Sequence, residues 1–283
     1  MAKNNRQEKA LELIRCLSSD LGLRVEAPKV INDSSYICIR VNQSLLARVK
    51  LFDESFNDSS RVYREVRVAS FLADCGAPVV QFAQGIEPGP YKIDNSFIML
   101  LRFETLTKQQ VLHYEVGKSL SACHQYLKSY GEPLPNYLDD INLCFNHLKG
   151  FKDRTFLSSR DYGFLTNIGG ALIEKVIAWK VENPTKEYQP LHGDPHLGNI
   201  LNTKNGLLWC DFESVCYGPV EWDLSSLPET ALESFQFDSK LLETMRLLRS
   251  WVVAAWCWMY YERSQDKKDA ATFHLERLKK SLI

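Results

Sequence analysis

His192, Asp194, His196, Asn199, Asp211 and Glu213 are the residues of this chain best suited to chemistry. They fall in two short runs, His-Gly-Asp-Pro-His-Leu-Gly-Asn over 192–199 and Asp-Phe-Glu over 211–213. Asp194 is followed five positions on by an amide, Asn199, and twelve positions further by a second carboxylate, Asp211. Transfer of a phosphoryl group from a nucleotide calls for that set. One carboxylate orients and deprotonates an attacking hydroxyl; an amide and a carboxylate hold Mg²⁺ against the phosphates. On this reading Asp194 is the base, and Asn199 and Asp211 are the metal ligands. The structural alternatives are a turn Asp before Pro195, a hairpin-start Asn and a strand-end Asp. A zinc pair at His192 and His196 would need both on a helix, which Gly193 and Pro195 oppose.

Protein kinases write the same spacing as H-R-D-x-x-x-x-N and D-F-G. The lettering here, H-G-D-x-H-x-x-N followed by D-F-E, resembles that of the aminoglycoside phosphotransferase and choline kinase family, small-molecule kinases of the protein-kinase-like fold. Gly218-Pro-Val-Glu-Trp-Asp-Leu224, Leu46-Ala-Arg-Val49 and Arg64-Glu-Val-Arg-Val68 are similar to that family as well, so the resemblance spans most of the chain. It implies an α+β, two-lobed fold: a small β-rich nucleotide-binding lobe over 1–103 and a larger, mainly helical lobe over 104–283 for catalysis and the acceptor. It also implies that His192 packs beneath the catalytic loop and that Asp223 is a hydrogen-bond partner for loop groups. An acidic residue at Glu213, where protein kinases have Gly, is ordinary in such kinases. Glu213 is open between shaping the loop, touching a metal-bound water and binding the acceptor. Glu221 is a further acceptor candidate, and His196 is open between acceptor contact and loop packing.

A kinase small lobe also needs a phosphate-binding cation on its third strand, paired with a Glu of the next helix. Arg48 and Lys50 compete for that place, and strand alternation points both to the same side. The residue two before the cation lies over the adenine and must be apolar and modest in size. Leu46 meets that condition for Arg48, whereas Arg48 fails it for Lys50, so Arg48 is preferred. Glu65 shares a helix face with Val62, Ala69 and Leu72; a charge among such positions wants a buried partner, which Arg48 would supply. A Gly-rich phosphate loop is missing. The corresponding turn is Asn32-Asp33-Ser34-Ser35, whose backbone N–H groups could still cradle phosphate, with Ser34 and Ser35 adding hydroxyls. ATP and GTP both stay open as donors. Backbone groups from Met99 to Leu101 are candidates for reading the base edge.

The elements that must position these residues are readable in outline. Ala10, Leu11, Ile14 and Leu17 recur at helical spacing within 7–22. Runs at 36–41 and 45–52 flank Asn42-Gln43 and read as a hairpin. Asp58 is a candidate N-cap for a helix to Cys75. Residues 78–83 and 97–103 read as strands, and Lys108 to Tyr130 as one long helix. Further helices are expected near 137–149 and 164–182. Asn205-Gly206 between two β-rich runs marks a second hairpin, whose exit carries Asp211. The remainder from Ser225 reads as helical.

Bulk properties exclude several classes. With 283 residues and a net charge of −1, the chain suits two lobes and carries no field for polyanions. It has no basic tail, so nucleic acid is not an expected partner. The polar N-terminal run Met-Ala-Lys-Asn-Asn-Arg-Gln-Glu-Lys is not a signal peptide. The apolar stretch Trp251–Tyr261 is shorter than the ~20 residues that span a bilayer, so no membrane partner is expected. Eight scattered cysteines without a C-x-x-C pair fit a reducing cytoplasm.

The expected activity is Mg²⁺-dependent transfer of the γ-phosphoryl group of ATP or GTP to a hydroxyl of a small molecule. From Asp194 to Glu262 acidic residues outnumber basic ones by ten to four, which favours an amine-bearing acceptor such as an aminoglycoside. A choline, amino-alcohol or sugar kinase of the same fold is the alternative. Trp251, Trp256, Trp258, Tyr260 and Tyr261 could stack on a sugar or a cation, but such a stripe is more often core. A protein substrate is disfavoured: no A-P-E occurs, and about ten residues separate Asp211 from Glu221, too few for an activation segment. The missing Gly-rich turn keeps open a non-catalytic, nucleotide-binding pseudokinase.

Overall fold

Ala10, Leu13, Ile14 and Leu17 are buried along one side of the first helix, α1 (Lys3–Asp20), as their spacing requires. The computed structural model describes residues 3–52, 58–152, 155–261 and 264–282. After α1 come β1 (Lys29–Asp33), β2 (Ile37–Arg40) and β3 (Leu45–Leu51). The β2–β3 turn is closed by Asn42, whose Oδ1 accepts the Ser44 and Leu45 N–H groups at 2.9 Å each. Helix α2 (Ser59–Asp74) starts where Asp58 accepts the Ser60 N–H at 3.0 Å. β4 (Tyr91–Ile93) and β5 (Ser96–Arg102) complete an antiparallel sheet of order β1-β2-β3-β5-β4. Ile37, Ile39, Ala47, Val49, Ile98 and Leu100 bury one face of it against α1.

Helix α3 (His113–Leu127) is shorter than the expected Lys108–Tyr130. The preceding residues take another partner: the Thr107 N–H donates to Asn202 O at 2.8 Å, and the Asn202 amide to Gln109 O at 2.8 Å. Residues 78–83, expected as a strand, form isolated bridges instead. Their backbone bonds are split, Val80 N–H going to Trp209 O and Ala83 N–H to Leu100 O. A segment shared between two partners completes a ladder with neither.

α4 (Tyr137–Gly150) opens on a capping box of Asn136 and Asp139, and α5 (Ser159–Glu182) on a Ser158 cap. β6 (Gln189–Leu191) precedes the 192–199 loop; β7 (Ile200–Thr203) and β8 (Gly206–Trp209) follow it as the expected hairpin, with Gly206 at φ +114°. β9 (Cys216–Gly218) pairs with β6, and α6 (Val220–Leu224), α7 (Ser239–Met259) and α8 (Gln265–Leu282) end the chain. The three-residue strands β4, β6 and β9 are too short to show a period-2 pattern. Among the described residues no helix is long and apolar enough to cross a membrane.

The chain gathers into two compact units, Met1–Tyr130 with His196–Val215, and Gly131–Pro195 with Cys216–Ile283. The second is centred on Trp251 of α7, fully buried, its indole N–H donating to Leu165 O at 2.7 Å. Gly169 of α5 lies flat against that ring: a Cβ there would stand 2.3 Å from Trp251 Cε2. At Gly170 the nearest atom to a Cβ would be Phe145 Cζ at 3.6 Å, an ordinary contact. Gly169→Ala is therefore expected to cost about 2 kcal/mol or more in urea unfolding. Gly170→Ala should be neutral or stabilise by up to about 1 kcal/mol. Equal midpoints for the two variants would refute this account of the α5–α7 contact.

Candidate active site

On β3, Ala47 and Val49 face the core with α1, so Arg48 and Lys50 face the other side of the sheet. Arg48 is nevertheless buried, and so is Glu65 on α2. Two buried charges persist only if they are paired and hydrogen-bonded. The Arg48 Nη1 donates to Glu65 Oε1, and the Tyr36 hydroxyl donates to Glu65 Oε2 at 2.8 Å. The Tyr36 ring also lies 4.0 Å beneath the Arg48 guanidinium and 4.3 Å from Lys50 Nζ. Arg48 Nη2 reaches Asp211 Oδ1 at 3.2 Å. Lys50 pairs elsewhere, its Nζ 2.8 Å from Glu213 Oε2, while Arg64 donates to Glu213 O at 3.1 Å.

Burial is the largest influence on the Glu65 carboxyl and raises it to about 7; Arg48 opposes this, and Asp211 and Glu213 add to it. Burial alone would lower Arg48, but the Glu65 and Asp211 carboxylates more than offset it, and Arg48 stays cationic.

Asp211 leaves β8 in the left-handed conformation, φ +70°, which is uncommon for a residue with a side chain. Its Oδ1 is buried and, although close to Arg48, makes no hydrogen bond of good geometry. Carboxylate oxygens of Glu65, Asp211 and Glu213 lie within 4.8 Å of one another. Asn199 closes a 3₁₀ turn (Leu197–Asn199) capped by His196, whose Nδ1 accepts the Gly198 N–H at 3.0 Å. Asn199 O in turn accepts the Cys210 N–H at 3.0 Å, tying Asn199 to the residue before Asp211. Met99 stands opposite Arg48 and Leu101 opposite Leu46 in the β3–β5 register, both buried. Ser34 and Ser35 are exposed in the β1–β2 turn, where Ser34 Oγ accepts from Asn32 Nδ2 at 3.3 Å.

The other half of the motif belongs to the second unit, the division falling between Pro195 and His196. Asp223 of α6, fully buried, accepts the N–H groups of His192 and Gly193 at 2.9 Å each. Gly193 has φ +88°, a conformation glycine takes without steric cost. His192 is fully buried, its Nδ1 3.4 Å from the Asp194 N–H, whereas the Asp194 side chain is 42 % exposed. Glu221 is buried; its Oε1 accepts the Asp238 N–H at 2.7 Å at the head of α7, and burial raises its carboxyl. Two residues at these places were not anticipated from sequence. Tyr36 appears there only as the start of a strand, and Arg249, which touches Gly193, only within the stretch from Ser225 that reads as helical.

The phosphotransferase enzyme family matches residues 32–246, and the chain belongs to that family. No curated protein matches it. Among solved structures, amicoumacin kinase hAmiN, in complex with AMP-PNP, Ca²⁺ and Ami, superposes with a TM-score of 0.71 at 13 % identity over 100 % of this chain and 97 % of its own. Choline kinase LicA from Streptococcus pneumoniae gives 0.70 at 15 % identity, covering 96 % of this chain and 98 % of its own. The GDP complex of aminoglycoside 2'-phosphotransferase-IIIa gives 0.64 at 14 % identity, covering 96 % and 99 %. The fold is thus the α+β, protein-kinase-like fold that the motifs implied.

Glu65 gives a test of the buried cluster. Unfolded, its carboxyl ionises near the ordinary value of about 4.5, against about 7 when folded. Between those values the folded state keeps a proton that the unfolded state has lost. This group's contribution to stability is therefore full below about pH 4.5 and is lost as pH rises through about 7. The stability of the protein relative to Glu65→Gln, which cannot ionise, is expected to fall by up to about 3 kcal/mol across that window and then level off. Urea unfolding of both proteins from about pH 4 to about pH 8 measures it. A constant difference would mean that Arg48 keeps Glu65 ionised throughout.

Proposed function

We propose that this phosphotransferase moves the γ-phosphoryl group of ATP or GTP to a hydroxyl of a small, amine-bearing molecule such as an aminoglycoside. The observation that carries this reading is the buried Arg48–Glu65 pair reaching Asp211, an arrangement suited to orienting polyphosphate. In it Arg48, with Lys50 close by, binds phosphate, and Glu65 fixes Arg48. Ser34 and Ser35 lie in the turn that would cover the phosphates, and the backbone of Met99–Leu101 is proposed to read the base. Asn199 and Asp211 would hold Mg²⁺. Their hard oxygen donors suit that ion, and Asp211 Oδ1, buried without a hydrogen bond, is a ligand atom in waiting. When bound, Mg²⁺ offsets the charge of the phosphate oxygens.

Asp194 does the proton chemistry. The acceptor hydroxyl donates a hydrogen bond to its carboxylate; the acceptor oxygen then bonds to the γ-phosphorus as the bond to the bridging β–γ oxygen breaks. The proton passes to Asp194 and ADP or GDP leaves. His192 and Asp223 support the loop, His196 its exit, and Glu213 stays a candidate for the acceptor. Residues 1–103 serve the nucleotide and 104–283 catalysis and the acceptor in this proposal, and the reaction belongs to the nucleotide-rich cytoplasm. The relatives named for aminoglycoside and choline substrates support an amine-bearing acceptor.

The test is release of ADP or GDP by the purified protein with Mg²⁺ and ATP or GTP. Aminoglycosides, choline-like amines, amino alcohols and sugars are offered in turn. One acceptor class is expected to stimulate release, and Asp194→Asn to reduce it by about 10²- to 10⁴-fold while nucleotide binding, read by thermal shift, persists. Nucleotide binding without turnover on any acceptor would favour a pseudokinase. Loss of nucleotide binding itself on Arg48→Ala with turnover of the parent unaffected by Asp194→Asn would overturn the base assignment alone.

A further inference from the structure

Arg249 sits on α7 between the buried Leu248 and the buried Trp251. Its side chain is 12 % exposed, and its Nε, Nη1 and Nη2 each have a partner nearby. Nη2 donates to Gly193 O at 2.9 Å and to Trp222 O at 3.0 Å. Nε donates to Ser225 Oγ at 3.3 Å, and Nη1 lies 3.5 Å from Asp194 Oδ1. The guanidinium stacks 3.5 Å over the Trp222 ring. Burial lowers its pKa, and the Asp194 and Asp223 carboxylates oppose that shift.

These contacts meet Asp223 from the opposite side of one residue. Asp223 takes the Gly193 N–H and Arg249 takes the Gly193 C=O. Both polar groups of the glycine that precedes Asp194 are therefore fixed. A glycine is the residue least able to hold its own conformation, so the fixing must come from outside. The same cation that holds the glycine stands beside the Asp194 carboxylate.

We infer that Arg249 is a positioning residue of the phosphoryl transfer: it holds Gly193 and orients the Asp194 carboxylate toward the acceptor hydroxyl. This rests on the reading of Asp194 as the base. The planar fork matters, because an ammonium cannot serve two carbonyls, a hydroxyl and a carboxylate from one position. Misplacing a reacting group by about 1 Å can cost about 10²-fold in rate.

The experiment compares Arg249→Gln, Arg249→Lys, Asp194→Asn and the double variant Asp194→Asn/Arg249→Gln, using Mg-ATP and the acceptor that most stimulates ADP release. Arg249→Gln is expected to lower kcat about 10- to 100-fold with the KM for ATP within about twofold. Arg249→Lys should fall between it and the parent. In the Asp194→Asn background Arg249→Gln should add less than about twofold, because both act on one step. An undiminished kcat per folded molecule in Arg249→Gln, or an equal loss in both backgrounds, would leave Arg249 a structural staple and overturn the inference. If Arg249→Gln does not fold, Arg249→Lys carries the test, and a parental kcat in it overturns the inference as well. Full activity in Asp194→Asn would sink the base assignment and the inference together. An inactive Asp194→Asn beside an unslowed Arg249→Gln would sink the inference alone.

Discussion

The buried pair of Arg48 and Glu65 is the constraint around which the first unit is organised. Neither charge could be taken out of water alone, and removing one partner from such a pair typically costs about 3–5 kcal/mol. Meeting the requirement recruits residues far apart in the chain. Tyr36 gives its hydroxyl to Glu65 and its ring to both Arg48 and Lys50. Asp211 approaches the free side of Arg48. One electrostatic need thus ties β2, β3, α2 and the exit of the β7–β8 hairpin together. The tie is incomplete by design of its charges: Glu65, Asp211 and Glu213 bring three acidic groups against Arg48 and Lys50. Burial raises the Glu65 carboxyl, the repulsion from Asp211 and Glu213 adds to it, and the cluster favours whatever positive charge can be added there.

Residues with a pattern around them were legible in the sequence, and those without one were not. Arg48 could be preferred over Lys50 because alternation on a strand fixes what stands two residues away. Glu65 stood out as a charge among apolar positions at helical spacing. The β7–β8 hairpin was marked by Asn205-Gly206. Tyr36 offers no such pattern: an aromatic residue opening a strand is ordinary, and its double role depends on α2 lying alongside. Arg249 could have been found by the argument that found Glu65, since Leu242 and Met245 precede it at helical spacing on a buried face. Where the chain chose between local propensity and a distant partner, the partner won. Residues 108–112 look helical, yet the segment from Leu106 to Gln109 pairs with β7. Residues 78–83 look like a strand, yet they divide their bonds between β5 and β8.

The run Gly218–Leu224 shows how much organisation a short helix can carry. On α6 three successive residues face three different tasks. Glu221 caps the head of α7, Trp222 underlies the Arg249 guanidinium, and Asp223 holds the N–H groups of His192 and Gly193. Each carboxylate is buried and would be costly if unpaired. The conformation at His192 and Gly193 is consequently held by backbone hydrogen bonds to a fixed acid, while the Asp194 side chain stays 42 % exposed.

That distribution changes how the acidity of the C-terminal half should be used. From sequence, ten acidic residues against four basic ones over 194–262 suggest a field that gathers cationic acceptors. In the fold most of those acids already have duties. Asp211 faces Arg48, Glu213 faces Lys50, Glu229 pairs with Arg246, Glu221 and Asp238 cap α7, and Asp223 anchors the loop. Charges spent on internal partners are largely neutralised at the distance of a diffusing ligand, where salt screens what is left within about 10 Å. A preference for an amine must then come from groups in contact with the acceptor.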